Sequence, residues 1–381
     1  MIATALACLC LIAWCYLAAF HGLFWKPLLD EKPQDPASWP SVTIIVPARN
    51  EAEALPQSLP TLLAQDYAGE WKIILIDDHS NDGTAEIAQK SAAKMSVADK
   101  LQILQAPPLA EGWTGKVAAM QTGVTQSQSD YVLFTDADIA HSKDSLRRLV
   151  ANAVANRLDL ASLMVKLSAQ STAEKLLIPA FVFFFAMLYP FRKIADPFSR
   201  TAGAAGGVML VKRKALENSG GLPRIRAALI DDCSLARMIK DSGGDNGGIG
   251  HVSLTLTNNV KSLRPYPHFR DIHNMIARTA FTQLRNSAFL LLGSVLGLCF
   301  LFFVPILFPL FTEWQAGLPA LAAWVLMSAL YLPMTRFYGL RSVWALTLPF
   351  AAFLYIIATI DSARRTWQGS GGQWKGRAQA K

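Results

Sequence analysis

The sequence predicts an α/β domain on a parallel sheet, carried by a chain with membrane-spanning helices at both ends. Three observations carry that prediction. Short β-rich runs alternate with stretches of helical composition over roughly residues 40–285. The 381 residues are 52% hydrophobic and only 17% charged, an excess of apolar residues over an ordinary soluble domain. Charge-free apolar runs of bilayer length stand before and after the alternating region.

The first of these runs is Ile2 to Phe20. No Lys or Arg precedes it, whereas Lys26 and Lys32 follow, so residues 1–25 read as an uncleaved anchor with the next domain cytoplasmic. The strands "SVTIIVP", "WKIILID", "KLQILQA" and "DYVLFTD" come next, each followed by a helical stretch. In such a sheet chemistry gathers beyond the carboxyl ends of the strands. The polar clusters fall there: "ARNE" after the first, "DDHSNDGT" after the second and "DAD" after the fourth. "KDSGGDNGGIG" reads as a flexible loop.

"LLIPAFVFFFAMLYPF", residues 176–191, lies between the "DAD" acids and a second acidic pair, Asp231 and Asp232. A single crossing there would put the two acidic clusters on opposite faces of a membrane. If they share a site, the segment is interfacial or re-entrant, a broken, shallow helix at Pro179 and Pro190 that forms a doorway for a lipid acceptor. The alternative is a buried core helix. Three late runs, Asn286 to Thr312, Trp314 to Thr335 and Ser342 to Ile360, supply C-terminal membrane helices over 286–362. A basic tail, 363–381, follows. Three full spans would carry that tail out of the cytoplasm, so Leu318 to Met334 is expected to be incomplete or interfacial. The location implied is the cytoplasmic (inner) membrane, multi-pass.

The net charge of +8 does not point to nucleic acid, because no stripe of Lys and Arg interleaved with aromatics occurs. Anionic headgroups or a phosphorylated substrate fit it better. Four of the five cysteines lie in candidate spans, which gives no disulfide framework.

Each polar cluster has a structural reading beside its functional one. Pro47 lacks an N–H and should end strand pairing, releasing Ala48, Arg49, Asn50 and Glu51 at the functional end of the sheet. Asp82 and Thr84 read as turn and cap residues. Asp77 and Asp78, at a strand end, can accept from a nucleobase N–H or a ribose hydroxyl. Lys116 opens a helix just after a glycine, either as a surface lysine or beside free backbone N–H groups as a phosphate site. Asp136 and Asp138, two apart at a strand end, repel unless a cation lies between them; carboxylates plus substrate phosphates commonly hold Mg2+ or Mn2+. His141 reads as a polar helix-start residue. Asp231 and Asp232 precede an amphipathic helix, either as N-terminal charge against its dipole or with a general base among them.

The ordered set VPxRNE, DDxSxDGT, GKxxAxxxG, DxD and an acidic pair with xxLAR, over roughly residues 40–290, resembles family 2 glycosyltransferases of the GT-A fold. "GWTGK", "IDDCSLA" and "ARTAFTQLRNS" resemble the hopanoid-biosynthesis-associated branch of that family. The resemblance implies a membrane-bound, inverting transfer from a nucleotide-diphosphate sugar, a UDP-sugar on family grounds, to a lipid acceptor. It implies that Pro47 to Glu51 and Asp77 line the nucleoside, that Asp78 faces the base and that Lys116 lies near the donor. Asp136 and Asp138 would address ribose and metal, and Asp232 would be the catalytic base. The family's Gln/Arg-x-x-Arg-Trp motif is replaced by "MIARTAF", which keeps Arg278 while Met275 and Thr279 depart. Trp374, Lys375 and Arg377 of "QWKGR" recur in related membrane enzymes and would bind the donor in its place. Gln121 departs from the Asn usual after the lysine.

Two other classes compete. A nucleotidyltransferase also sets acids at strand ends, but "VPARNEAEA" is not its Gly-rich phosphate loop. A transporter or scaffold would carry polar residues along its spans, and these carry almost none.

Overall fold

The structure is a computed structural model that describes residues 1–31, 33–244, 248–369, 373–374 and 377–378. In chain order the elements begin with α1 (Ile2–Phe20), β1 (Val42–Ala48), α2 (Leu55–Leu63), β2 (Trp71–Asp77), α3 (Thr84–Lys94), β3 (Leu101–Gln105), α4 (Gly115–Thr125) and β4 (Tyr131–Thr135). There follow β5 (Ile139–His141), α5 (Ser145–Ala155), β6 (Leu160–Lys166), α6 (Thr172–Leu188), α7 (Phe191–Ala195), β7 (Val208–Lys212), α8 (Arg213–Asn218), α9 (Asp231–Ser242) and β8 (Val252–Ser262). The chain closes with α10 (Phe269–Ala277), α11 (Ala280–Gln283), α12 (Ala288–Phe311), α13 (Trp314–Phe337), α14 (Leu348–Trp367), β9 (Gln373–Trp374) and β10 (Arg377–Ala378). These elements form two compact units: Leu28–Ser168 with Lys193–Pro265 and Gln373–Lys381, and Met1–Pro27 with Ala169–Arg192 and Tyr266–Gly372.

The first of these units is built on an eight-stranded sheet, ordered β3-β2-β1-β4-β7-β6-β8-β5. The expectation of a parallel sheet holds from β3 to β4 and fails beyond it. β7 runs antiparallel to both β4 and β6, and β5 runs antiparallel to β8. The first four strands are joined by helical crossovers, which return the chain in the same direction. Beyond them β6 and β8 pair in parallel while β7 and β5 run the other way, so the sheet is mixed. Every residue of β1 is buried, which is why its sequence is a continuous apolar run rather than an alternating one. Pro47 does not end the strand, as the sequence suggested: pairing with β4 stops at Ile45, but pairing with β2 continues to Ala48 opposite Asp77. The polar loop therefore begins at Arg49. α4 lies close on β1 at Gly123, where a Cβ would come within 2.5 Å of Ile45 Cγ2. That contact seats the last turns of α4 on the sheet.

The other unit is helical. Four of its helices, Ile2–Phe20, Ala288–Phe311, Trp314–Phe337 and Ser342–Trp367, are long and apolar enough to cross a membrane. Trp314–Phe337 is continuous over 24 residues, so its length gives no support to the expectation that Leu318 to Met334 is incomplete. α1 packs by its small residues, Ala7 against Ala316 and Ala320, and by Trp14, whose Nε1 donates to Leu301 O at 2.9 Å.

The apolar segment 176–191 is not the broken helix its prolines suggested. α6 runs unbroken through Pro179 to Leu188, with Pro190 just past its end, where a missing N–H costs least. Its start is fixed by a capping box in which Ser171 and Glu174 satisfy each other's backbone N–H groups. Phe183 is fully buried against Phe24 and Tyr331, and Phe184 packs on Phe302 and Tyr355.

The last turns of α14 lie on α10 and α11. Asp361 meets His273 at 2.9 Å, Arg365 Nη2 donates to Asn274 Oδ1 at 2.9 Å, and the rings of Phe281 and Trp367 are 5.4 Å apart.

Candidate active site

The loops after β1 and β2 are laced to each other. Arg49 Nη1 donates to Asp78 O at 2.6 Å and lies 3.6 Å from Asp78 Oδ2, while Asp78 is itself buried. Asn50 N donates to Ser80 Oγ, Glu51 N to Thr84 Oγ1 and Ala52 N to Asp82 Oδ2, all within 3.0 Å. Asn50 and His79 both hold positive φ, 50° and 54°, which turns each chain sharply off its strand. Asp82 is the turn residue the sequence suggested, its Oδ1 accepting from Thr84 N and Thr84 Oγ1, but the N-cap of α3 is Gly83 with no side-chain cap bond, so the cap reading does not hold. Asp77 does the same for its own turn, accepting from Ser80 N at 3.2 Å. Pro47 and Ala48 contribute backbone at the strand end.

Lys116 is the centre of the second half. Its Nζ lies 2.9 Å from Asp136 Oδ1 and 3.3 Å from Asp231 Oδ2. Burial alone would lower the pKa of this amine, but the two carboxylates outweigh it and hold the pKa well above the ordinary lysine range. The sequence reading of Lys116 as a phosphate-binding cation therefore acquires a second content: it joins the "DAD" acids to the later acidic pair. Asp136 and Asp231 are 95 positions apart in the chain (231 − 136), yet one ammonium group spans them.

Asp232 sits beside this ammonium group, with two backbone N–H donors on its carboxylate. Gly206 N donates to Oδ2 at 2.9 Å and Cys233 N to Oδ1 at 2.7 Å. Burial and the neighbouring Asp231 carboxylate push its pKa up to about 6, against the opposing pull of Lys116 and the two N–H groups. A carboxylate so placed is ionised near neutrality yet basic enough to accept a proton. Leu235, one turn further along α9, is fully buried and anchors the helix that presents both acids.

The residues beyond β4 divide by role. Asp138 Oδ2 lies 3.1 Å from Arg264 Nε, and Glu51 Oε1 lies 3.8 Å from Arg264 Nη2. Asp136 and Asp138 are hard oxygen donors in one turn, as Mg2+ or Mn2+ requires, but the described residues include no cluster of three or more His, Cys, Asp or Glu side chains that could ligate a metal. They fit a divalent ion whose remaining ligands come from a bound diphosphate. His141 is not a helix-start residue. It is buried in β5, bonded to Thr135 Oγ1 at 3.0 Å and Ser145 Oγ at 3.2 Å, and burial pushes its pKa down to about 3, so it is a neutral structural group.

Arg278 stands at the C-terminal end of α10, in the helical unit. Trp374 and Arg377 belong to the antiparallel β9–β10 pair, and Lys375 lies outside the described residues. Two site residues were not found from sequence, Gly206 and Arg264. The signal for the first was the Gly-Gly pair at the end of "TAGAAGG", just before β7; Arg264 had none beyond its place two residues past the end of β8. A third, Lys240, supports the same region from behind. Its buried amine donates to Ile194 O, Asp196 O and Thr201 O at 2.7–3.0 Å, tying the segment that leads to Gly206 onto α9.

A mixed sheet with acids at its strand ends is the GT-A glycosyltransferase arrangement, and the comparison of folds bears this out. Over 96% of this chain and 99% of the other, the structure is similar to a mannosyltransferase from Pyrobaculum calidifontis in complex with GDP-Man and Mn2+, with a TM-score of 0.57 at 20% identity. Residues 43–220 match the model of glycosyl transferase family 2. The chain is 35% identical over 109 residues, 29% of its length, to the 4,4'-diaponeurosporenoate glycosyltransferase of Staphylococcus haemolyticus. It is 33% identical over 114 residues, again 29% of its length, to the undecaprenyl-phosphate 4-deoxy-4-formamido-L-arabinose transferase of Pseudomonas fluorescens. The match spans only 27% and 32% of those two relatives.

Proposed function

We propose that the protein is a membrane-bound inverting glycosyltransferase that moves a sugar from a nucleotide-diphosphate sugar to the hydroxyl of a lipid acceptor. The observation that carries this reading is the ammonium group of Lys116 shared by Asp136 and Asp231, with the basic Asp232 beside it. It brings a donor-binding acid and a proton acceptor within one small volume. In a single displacement, the acceptor O–H proton passes to an Asp232 carboxylate oxygen as the acceptor oxygen bonds to the anomeric carbon. The bond from that carbon to the diphosphate oxygen breaks, and its electron pair leaves with the diphosphate. Lys116 offsets the charge there, and Asp78, held by Arg49, faces the nucleobase. A divalent ion held by Asp136 and Asp138 would supply further neutralisation of the leaving group. The two relatives are named for 4,4'-diaponeurosporenoate and undecaprenyl phosphate, and four helices of span length support a lipid acceptor for this chain. An acceptor hydroxyl is favoured over an acceptor phosphate because a phosphate is already ionised and needs no base, whereas Asp232 is tuned as one. A hopanoid or other polyisoprenoid-type alcohol has the required character, and a UDP-sugar is the first donor to try.

The test is a donor panel on the purified protein in Mn2+ or Mg2+ with lipid extract. Nucleoside diphosphate released only when lipid is present supports the reading. Pyrophosphate release would assign the chain to the nucleotidyltransferases instead, and no release with any donor would favour a non-catalytic membrane protein.

A further inference from the structure

We infer that Arg264 is a displaceable counter-cation that closes the metal position at Asp138 until a diphosphate arrives; the inference rests on the proposed use of a nucleotide-diphosphate donor with a divalent ion. Arg264 is fixed at its backbone, because β8 pairs with β5 up to Ile139 opposite Ser262 and Leu263 N donates to Asp138 O at 2.8 Å. The guanidinium reaches Asp138 Oδ2 at 3.1 Å and Glu51 Oε1 at 3.8 Å, and the side chain is 37% exposed while the two carboxylates are 13% and 11% exposed.

Lys116, the cation beside Asp136, is more enclosed. It is only 15% exposed and has two carboxylates within 3.3 Å. Of the two cations, Arg264 is the more exposed to solvent. A guanidinium on Asp138 competes directly with a divalent ion for the same carboxylate. It also has the planar donor fork that matches a diphosphate. A diphosphate entering the site therefore does two things at once: it offers Arg264 a better partner, and it frees Asp138 for the ion whose coordination the phosphates complete. Metal and donor would then bind cooperatively, and the coupling is reciprocal by linkage. The benefit to the enzyme is that free metal does not fill the site ahead of the donor.

The experiment measures Mn2+ binding by electron paramagnetic resonance on the full-length protein in detergent, without nucleotide and with UDP or GDP. Arg264→Ala should bind Mn2+ alone more tightly than wild type, by about fivefold, the size a partly exposed ion pair allows. Its gain in Mn2+ affinity on adding nucleoside diphosphate should shrink. Arg264→Lys, which keeps the charge without the fork, should fall between the two. A residue that only held the fold together would weaken Mn2+ binding when removed, so the sign of the change separates the roles. Unchanged Mn2+ affinity in Arg264→Ala, or unchanged cooperativity with nucleotide, overturns the inference while leaving the proposed activity standing. Failure of wild type to bind Mn2+ even with UDP or GDP refutes the metal-assisted donor reading itself, and this inference with it.

Discussion

Replacing Gly206 by Ala should slow the chemical step and shift its pH dependence while leaving donor binding nearly intact. A Cβ at that position would lie 3.2 Å from Lys116 Nζ, 3.3 Å from Asp232 Oδ2 and 3.6 Å from Asp232 Cβ, tighter than ordinary contact at the first two. Lys116 cannot withdraw freely, because Asp136 and Asp231 hold its amine at 2.9 and 3.3 Å. The base must give instead, which lengthens the 2.9 Å bond from Gly206 N to Asp232 Oδ2. A hydrogen bond to a charged group contributes about 1.5–3 kcal/mol, so partial loss costs on the order of 1 kcal/mol. Because that bond stabilises the carboxylate, weakening it raises the Asp232 pKa further, by about half a unit to one unit at 1.36 kcal/mol per unit. Misplacing the base by a few tenths of an ångström should lower kcat by about tenfold, given that 1 Å costs about 10²-fold. The assay is nucleoside diphosphate release from pH 5 to 8, with donor affinity measured separately. A variant with wild-type kcat and an unmoved acid limb would refute the idea that Gly206 seats the base, and so would a loss confined to donor KM.

Asp232→Asn keeps the shape but cannot take a proton, so kcat should fall by about 10²–10⁴ with little change in donor affinity. If Asp231→Asn is the crippled variant instead, the base has been assigned to the wrong acid. Because burial raises the Asp232 pKa to about 6 and the base works only when ionised, wild-type kcat should be flat above neutrality and fall as pH drops through about 6. Asp136→Ala or Asp138→Ala should weaken metal-dependent donor binding, and turnover should stop in EDTA; full activity in EDTA would contradict metal use. Lys240→Met leaves the carbonyls of Ile194, Asp196 and Thr201 without their buried donor, which should lower stability by about 3 kcal/mol, read as a fall in Tm.

The parts of this molecule legible in sequence are those written locally. β1, β2 and β4 announce themselves as apolar runs that lead into polar clusters, and their helical crossovers dictate the parallel half of the sheet. β7 and β5 reverse the pattern through pairings between distant segments, which no local period records. The site divides in the same way. Asp136 and Asp138 stand out because two like charges at a strand end need an explanation. Gly206 and Arg264 are ordinary residues until folding sets the one under Asp232 and the other against Asp138. Pro47 and Pro179 mark the limit of single-residue rules: each sits inside an element that its neighbours carry through.

The docking of the last turns of α14 on α10 and α11 has a bearing on sidedness. α11 ends at Gln283 and α12 begins at Ala288, so the last turns of α14 return to the stretch from which α12 sets out. The charged group of His273, Asp361, Arg364 and Arg365 belongs in water. If these helices enter a bilayer, the chain between Ala288 and Trp367 would make an even number of full crossings, whereas three helices of span length lie there, so one of the three would not cross fully. A reporter fused after Trp367 and a cysteine placed at Tyr266 would then answer to reagents from the same compartment, and the basic C-terminus need not be exported to satisfy the count.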